Sequence, residues 1–414
     1  YGLKEAGLIA FKRLVKNLAP HGYSPMRYTP GLWRHETLPT TFTLAVDDFG
    51  IKYFNTKHLD HLFAALRTNY SISTDLTGSN YCGLHFDWHY DQGYVDVSMP
   101  GYIAKTLEIF GHVPPLKPQH APHQWTVPTY GQKIQYAKQP PNEPTLDKQG
   151  TTRIQKINGR ILDYARAVDG YMLVANNEIG NQQAAPTEKT NKAVNMLLDY
   201  AHTYPNAIIR YYASDMCLHV DSDAAFLVLP KARSRGAGHF YFSDHVPRSV
   251  KKPSPKPNGA ILTECQTLRS VMTSAAEAET ITVFNNGKAA IPIIVTAEEL
   301  GHPQNGATFK TDNSTCDGIL NATMRQKRSK HYDMKIWWFR DQIKKGLFRL
   351  FWEKGCLNLA DYFTKHHPPS HHKLMRPKYI QPDNKQINSL QSLVQGCVPP
   401  WRDSLTRMIQ TGII

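Results

Sequence analysis

The stretch IIRYYASDMCLHVDSDAAFLVLP, residues 208–230, opens a block of β-forming residues in the second half of the chain. Isoleucine, tyrosine, valine and phenylalanine recur in it, which predicts strands, and Asp223 lies in or at the end of one of these runs. GAGHFYFSD, residues 236–244, continues the pattern. Taken alone, Asp223 is best explained as a turn or cap residue, because Asp favours such positions.

Three further acidic segments follow: SAAEAET (274–280) near an expected helix start, FKTDNSTCDG (309–318) after a short expected strand, and NLADYFTK (358–365) inside a helical pattern. Acidic residues at the ends of strands and helices can converge when the chain folds. Converging carboxylates repel one another unless cations neutralise them. Oxygen-only ligands suit Mg²⁺ or Mn²⁺, and two such ions about 4 Å apart can hold both reacting oxygens of a phosphodiester cleavage.

Composition narrows the class of protein. The 414 residues suffice for two or three domains, and 41% hydrophobic with 20% charged residues indicates a folded chain. A formal net charge of +14 favours a polyanionic partner such as nucleic acid. Six scattered cysteines, none in a CxxC pair, indicate a reducing compartment and argue against a cysteine-based zinc site. No apolar run reaches the ~18 residues of a membrane span.

Five segments of the second half resemble, in the same order, the ribonuclease H domain of copia-type retrotransposon polyproteins. They are SDAA (222–225), MTSAAEAET (272–280), TDNSTCDGILN (311–321), KRSKHYDMKIWWFRDQIKKGLFRLFW (327–352) and NLADYFTK (358–365). The resemblance implies a ribonuclease H-like α/β domain with a mixed five-stranded sheet. It also implies hydrolysis of the RNA strand of an RNA–DNA hybrid, read by groove shape and 2′-hydroxyls.

The same resemblance implies a set of metal-binding catalytic carboxylates: Asp223, Glu279, Asp312 and Asp361. Two choices stay open. Asp221 lies two positions before Asp223 and would face the same side of a strand, and Glu277 lies two positions before Glu279. Mg²⁺ or Mn²⁺ is the expected cofactor.

The first half resembles the reverse transcriptase of the same family, in YGLKEAG (1–7), LAVDDFG (44–50), YCGLHFDW (81–88) and GYIAKTLEIFG (101–111). The resemblance places Asp47 and Asp48 on a hairpin of the polymerase palm, where Asp47 would bind catalytic Mg²⁺ and Asp48 would support the site. The family's third carboxylate precedes the YGLK segment. The polymerase site is therefore expected to be incomplete in this chain, and the upstream remainder of the polyprotein is an expected partner.

Basic residues form two candidate contacts to a nucleic-acid backbone. Arg233 and Arg235 lie at an expected hairpin, and Arg328, Lys330 and Arg340 lie in a basic run that follows the third acidic segment. A solvated helix face explains the basic run equally well, and both interpretations stay open.

Together these patterns predict a mixed α/β protein in four parts: a palm and thumb part (1–114), a connection region (115–207), a ribonuclease H-like domain (208–365) and a basic, His/Pro-rich tail (366–414). The expected function is metal-dependent cleavage of RNA–DNA hybrids in the cytoplasm, within a virus-like particle, or in the nucleus. The alternative is a non-catalytic nucleic-acid-binding relic. An integrase-type nuclease fits less well, because the acidic order and the palm-like first half differ.

Overall fold

The computed structural model describes residues 5–125, 143–325 and 330–381. Within these ranges the chain forms three β-sheets with helices packed against them, so the expected mixed α/β class is confirmed. No helix in these ranges combines the length and the apolar character that a membrane crossing requires.

The N-terminal part is a four-stranded antiparallel sheet covered by two helices. Its elements are α1 (Ala6–Leu18), β1 (Tyr23–Pro25), β2 (Leu32–His35), β3 (Thr41–Ala45), β4 (Asp48–Lys52) and α2 (Thr56–Arg67). The strands lie in the order β1-β2-β3-β4. Trp33 and Phe42 stack face to face in the core, with ring centroids 5.5 Å apart. The Asn55 side chain caps α2 by accepting a hydrogen bond from the Lys57 amide.

The middle part joins a second four-stranded sheet to a group of helices. Its elements are β5 (Asn80–Tyr81), β6 (Leu84–His89), β7 (Tyr94–Ser98), α3 (Tyr102–Ile109), α4 (Lys148–Ala167), α5 (Leu173–Gln182), α6 (Glu188–Thr203) and β8 (Ile208–Tyr212). β8 pairs with β7, and Arg210 on β8 forms two 2.8 Å bonds to Asp96 on β7. The first strand of the 208–230 stretch therefore completes a sheet of the first half.

The third part carries the five-stranded sheet. Its elements are β9 (Cys217–Leu229), β10 (Arg233–Ser243), β11 (Ala260–Thr267), α7 (Ala275–Glu299), β12 (Ala307–Thr311), α8 (Ser314–Leu320), α9 (Asp333–Lys344), β13 (Phe348–Trp352) and α10 (Pro369–Met375). The strand order is β11-β10-β9-β12-β13, with an antiparallel meander from β9 to β11 and parallel pairing of β12 with both neighbours. The expected mixed five-stranded sheet is confirmed.

Two glycines let the long helix α7 approach this sheet. A Cβ on Gly236 would lie 2.5 Å from the Thr282 hydroxyl, and one on Gly238 would lie 2.5 Å from the Asn286 side-chain oxygen. No side chain fits in that space, so α7 can settle directly on β10. The Ser274 hydroxyl caps α7 by accepting a bond from the Glu277 amide, so the helix begins at Ala275. Glu279 accepts a bond from the Ala224 amide, which places the first turns of α7 beside the central strand β9.

The structure departs from the expected tail between residues 366 and 381. α10 lies in this segment, and the side chains of His372, Arg376 and Ile380 are buried. They are spaced four residues apart, which turns them to one side of the segment toward the middle part. The Gln381 amide also donates to the Ile208 carbonyl at 2.9 Å. Residues 382–414 lie outside the described ranges.

Candidate metal centre

Three of the four predicted ligands come together beside β9, the central strand of the five-stranded sheet. Asp223, Glu279 and Asp312 each offer a carboxylate oxygen, and these oxygens all lie within 4.8 Å of one another. Asp223 lies on β9, Asp312 follows the end of the parallel strand β12, and Glu279 is in the first turns of α7. The parallel register pairs Lys310 with Asp221, so Asp312 and Asp223, each two residues further along, lie side by side.

Hydrogen bonds hold two of these carboxylates in position. Glu279 Oε1 accepts from the Ala224 amide at 3.0 Å, and Glu279 Oε2 accepts from the Thr311 hydroxyl at 3.3 Å. Asp223 Oδ2 accepts from the Thr364 hydroxyl. Each of these donors belongs to a different element from the carboxylate that it contacts, so the ligand positions depend on the whole fold.

Burial makes the group electrostatically costly. It raises the pKa of Asp223 to about 7, and the nearby Asp361 and Asp312 carboxylates add to the shift while Lys365 opposes it. Burial, followed by the charges of Asp223 and Asp312, also raises the pKa of Glu279 well above its usual range. The pKa of Asp312 is raised too, again mainly by burial. A bound cation would relieve this repulsion.

Asp361, the fourth predicted ligand, lies near the other three but outside their 4.8 Å group. It begins a short 3₁₀ turn, Asp361–Phe363, and its carboxylate forms an ion pair with the ammonium of Lys365. The charge of Lys365 also acts on Asp223 and Asp312, whose carboxylates in turn raise the pKa of Lys365. Lys365 thus supplies part of the positive charge that the acidic group requires.

The two open alternatives take other positions. Asp221 is buried, accepts from the Leu359 amide at 3.0 Å and lies 3.9 Å from the Lys310 ammonium. Glu277 accepts from the Thr273 amide at 2.7 Å, and its other oxygen lies 2.7 Å from His331 Nε2. These bonds and the nearby His331 outweigh its burial and lower the pKa of Glu277. The geometry therefore favours Asp223 and Glu279 as ligands.

The donor set fits a hard divalent cation. All three converging groups are carboxylates, and the described residues place no Cys or His within their ligand group. Such all-oxygen sites match Mg²⁺ or Mn²⁺ better than zinc. Asp223 and Glu279 are buried, and the three carboxylates repel one another when ionised. Keeping all three ionised requires more positive charge than the single ammonium of Lys365 supplies.

Without metal, the protein is expected to lose stability as the pH rises toward about 7. The native pKa of Asp223 is about 7 against an ordinary 3.8, so the folded state holds a proton that the unfolded state releases across this window. The free energy of unfolding therefore falls with rising pH, by an amount on the order of a few kcal/mol. Urea denaturation in EDTA at about pH 5 and about pH 8 measures the difference.

Two controls isolate this effect. The variant Asp223→Asn should show a flatter pH dependence, because it removes the titrating group. Mg²⁺ added at the higher pH should raise the stability of the unaltered protein by binding only its folded state. A metal-free protein that is equally stable at both pH values, or more stable at the higher one, would contradict the expectation.

The hairpin with the adjacent carboxylates forms as predicted, from β3 and β4. Val46 and Asp47 make its two-residue turn, Asp48 pairs with Ala45, and both Asp side chains are exposed. Val46 has φ 56°, the left-handed value that such tight turns require. Among the described residues, no third acidic side chain joins this pair in a candidate metal group.

The predicted nucleic-acid contacts fall into different surroundings. Arg233 is half-buried and has no described ion-pair partner, so it is free to bind an anion. Arg235 is different, since only 1% of it is exposed and its guanidinium pairs with Glu178 and donates to the Thr364 carbonyl at 3.2 Å. Arg235 therefore links α5 to Thr364 beside the three carboxylates, and it cannot reach a phosphate.

Of the remaining basic candidates, Arg340 is the one whose side chain the structure describes. Arg340 donates through Nε to the Ile319 carbonyl at 3.0 Å, and its Nη2 contacts the same oxygen. This bond satisfies the carbonyl end of α8, so the guanidinium is already engaged. Arg328 lies outside the described residues, and the side chain of Lys330 is likewise not described.

Thr311, Thr364 and Lys365 are functional candidates that the sequence analysis did not single out. All three contact the predicted ligands, through the bonds given above. The signal lay in the segment ADYFTK, where Asp361, Thr364 and Lys365 stand at spacings of three and four. Within a helical turn that spacing puts side chains on one face, which could have predicted their proximity.

No protein-family model matches the chain. Similar solved structures include the N-terminal ribonuclease H domain of Rv2228c from Mycobacterium tuberculosis, at 12% identity, covering 36% of this chain and 91% of that one, with TM-score 0.24. Ribonuclease H1 of the halophilic archaeon Halobacterium salinarum matches at 12% identity over 35% of this chain and 92% of its own, with TM-score 0.22. A foamy viral protease-reverse transcriptase in complex with dsDNA matches at 10% identity, covering 85% and 59% respectively, with TM-score 0.42.

Proposed function

We propose that the chain is the reverse transcriptase and ribonuclease H region of a copia-type retrotransposon polyprotein, and that its C-terminal part cleaves the RNA strand of RNA–DNA hybrids. The observation that carries the proposal is the group of three carboxylates within 4.8 Å of one another, of which Asp223 and Glu279 are buried. Asp223 lies within the central strand β9, Asp312 follows the end of the adjacent parallel strand β12, and Glu279 faces them from α7. The ordered motif resemblance supplies the substrate class.

Each side chain has a definite part in this proposal. Asp223, Glu279 and Asp312 would hold Mg²⁺ or Mn²⁺, which when bound would activate a water molecule and stabilise the leaving 3′ oxygen. The Thr364 hydroxyl orients Asp223, and the Ala224 amide with the Thr311 hydroxyl orients Glu279. Asp361 would join the site as a fourth ligand once its pairing with Lys365 is released.

The test is cleavage by the full chain of a hybrid whose RNA strand carries a fluorescent label. We expect RNA fragments with Mg²⁺ or Mn²⁺ and none with EDTA, while the same RNA presented as a single strand stays intact. A chain that binds the hybrid but produces no fragments with either metal would overturn the enzymatic proposal.

The second candidate is a nucleic-acid-binding relic without turnover. The observation that favours it is the Asp361–Lys365 ion pair, which engages the fourth predicted ligand. For a relic, hybrid affinity would fall with rising salt but would not change on removing Mg²⁺ or on the substitution Asp361→Asn. The exposed pair Asp47 and Asp48 gives this chain no complete polymerase site among the described residues.

A further inference from the structure

A cleft of about 610 Å³, lined by none of the predicted metal ligands, lies between helices α4 and α5 and the edge strand β11. Amide side chains make much of its wall, among them Asn158, Asn177, Asn181 and Gln266. Asn181 donates to the Thr267 hydroxyl at 2.8 Å, and that hydroxyl donates to the Asn177 oxygen at 3.1 Å. These bonds tie α5 to the strand and give the cleft a fixed wall.

Three arginines line this cleft: Arg166 from α4, Arg233 from the start of β10 and Arg269 just after β11. Arg166 and Arg269 are exposed, and none of the three belongs to an ion pair within the described parts of the chain. The single acidic lining residue, Glu264, accepts a bond from Gln266 at 2.6 Å. The cleft therefore carries an uncompensated positive charge, and anionic groups are its natural ligands.

We propose that this cleft binds an unpaired nucleic-acid strand, with its phosphates on the three arginines. A volume of about 610 Å³ is that of a small-molecule site, too small to admit a duplex. Unpaired nucleotides can enter such a space, where amide groups meet base edges and apolar side chains meet base faces. Leu162, Leu173 and Leu268 provide the apolar part of the lining.

Helix α5 connects the cleft to the group of three carboxylates. α5 lines the cleft with Asn177 and Asn181, and Glu178 on the same helix contacts Arg235 and His366. His366 follows directly after Thr364 and Lys365, which touch the predicted metal ligands. A strand held in the cleft would thus lie beside the place where a hybrid is cut. The inference rests on the proposed function for this choice of ligand.

The test measures binding of a short fluorescein-labelled oligothymidylate to the full chain by anisotropy, in EDTA and over a range of salt. The double variant Arg166→Gln/Arg269→Gln should bind about tenfold more weakly at low salt. The slope of the logarithm of the binding constant against the logarithm of the salt concentration should become less negative by up to about 1.4, the value for two lost phosphate contacts on a single strand. Lys156→Gln, an exposed α4 position outside the cleft, is the matched control and should bind like the unaltered chain.

A second readout locates the strand. The same oligonucleotide containing 4-thiothymidine should, on irradiation, cross-link to peptides from residues 158–183 or 263–269. Equal weakening by Lys156→Gln, an unchanged double variant, no binding at all, or cross-links confined to other segments would each overturn the inference. The binding assay is done in EDTA and therefore does not depend on the metal centre. Arginine-dependent binding, together with no hybrid cleavage in the separate assay with Mg²⁺ or Mn²⁺, would refute the proposed function and leave the cleft assignment standing.

Discussion

Asp312→Asn is expected to abolish metal-dependent cleavage of RNA–DNA hybrids, lowering the rate at least about a thousandfold. A metal centre supplies several kcal/mol of transition-state stabilisation, and each 1.36 kcal/mol is a factor of ten in rate. The substitution keeps the shape of a half-buried side chain whose oxygens belong to the three-carboxylate group. It removes one negative charge from that group, so affinity for the cation should fall with the rate.

Three measurements make this result specific. Hybrid cleavage gives the rate, calorimetric titration with Mn²⁺ gives the metal affinity, and urea denaturation gives the stability. The variant should be at least as stable as the unaltered chain without metal, because one repelling carboxylate is gone. Asp317→Asn, on α8 and outside the ligand group, is the matched control and should retain activity. An active Asp312→Asn protein would remove this residue from the site.

Arg376→Met is expected to destabilise the protein by about 3–5 kcal/mol, because it leaves a buried carboxylate without its counter-charge. Arg376 Nη1 donates to Asp169 Oδ2 at 3.1 Å and to the Tyr200 hydroxyl at 2.7 Å. Asp169 is completely buried, and burial raises its pKa while Arg376 opposes that shift. The guanidinium also lies 4.5 Å from the centre of the Tyr204 ring.

A double-mutant cycle tests the origin of this loss. Asp169→Asn combined with Arg376→Met should recover much of the stability, since the unpaired buried charge is then absent. Lys378→Met, two positions on and exposed, is the control and should change little. Urea denaturation of the unaltered chain, the two single variants, the double variant and the control supplies the free energies. A loss below about 1 kcal/mol in Arg376→Met would show that the 366–381 segment is not part of the cooperative fold.

The local sequence pattern was enough to predict individual helices and turns. The apolar spacing of TKHLDHLFAALRTNY (56–70) predicts a helix, and the structure has α2 there. The residues Asp91-Gln92-Gly93 predict a turn, and in the structure they join β6 to β7. Helical periodicity and turn residues act over a few positions, so sequence alone contains that information. The pairing of β8 with β7 could not be predicted this way, because it joins strands more than a hundred residues apart.

Sequence by itself determined which residue types the site has and in what order the chain presents them. It could not choose between Asp221 and Asp223, because side chains two apart on a strand share a face. It could not choose between Glu277 and Glu279 either, because both lie in the first turns of the same helix. The tertiary structure favours Asp223 and Glu279, because it sets Lys310 opposite Asp221 and the first turns of α7 beside Asp223. The same holds for Arg235, whose charge suggested a phosphate ligand until packing buried it against Glu178. A carboxylate or guanidinium acquires its role from partners that are distant in sequence, and only the fold brings those partners into contact.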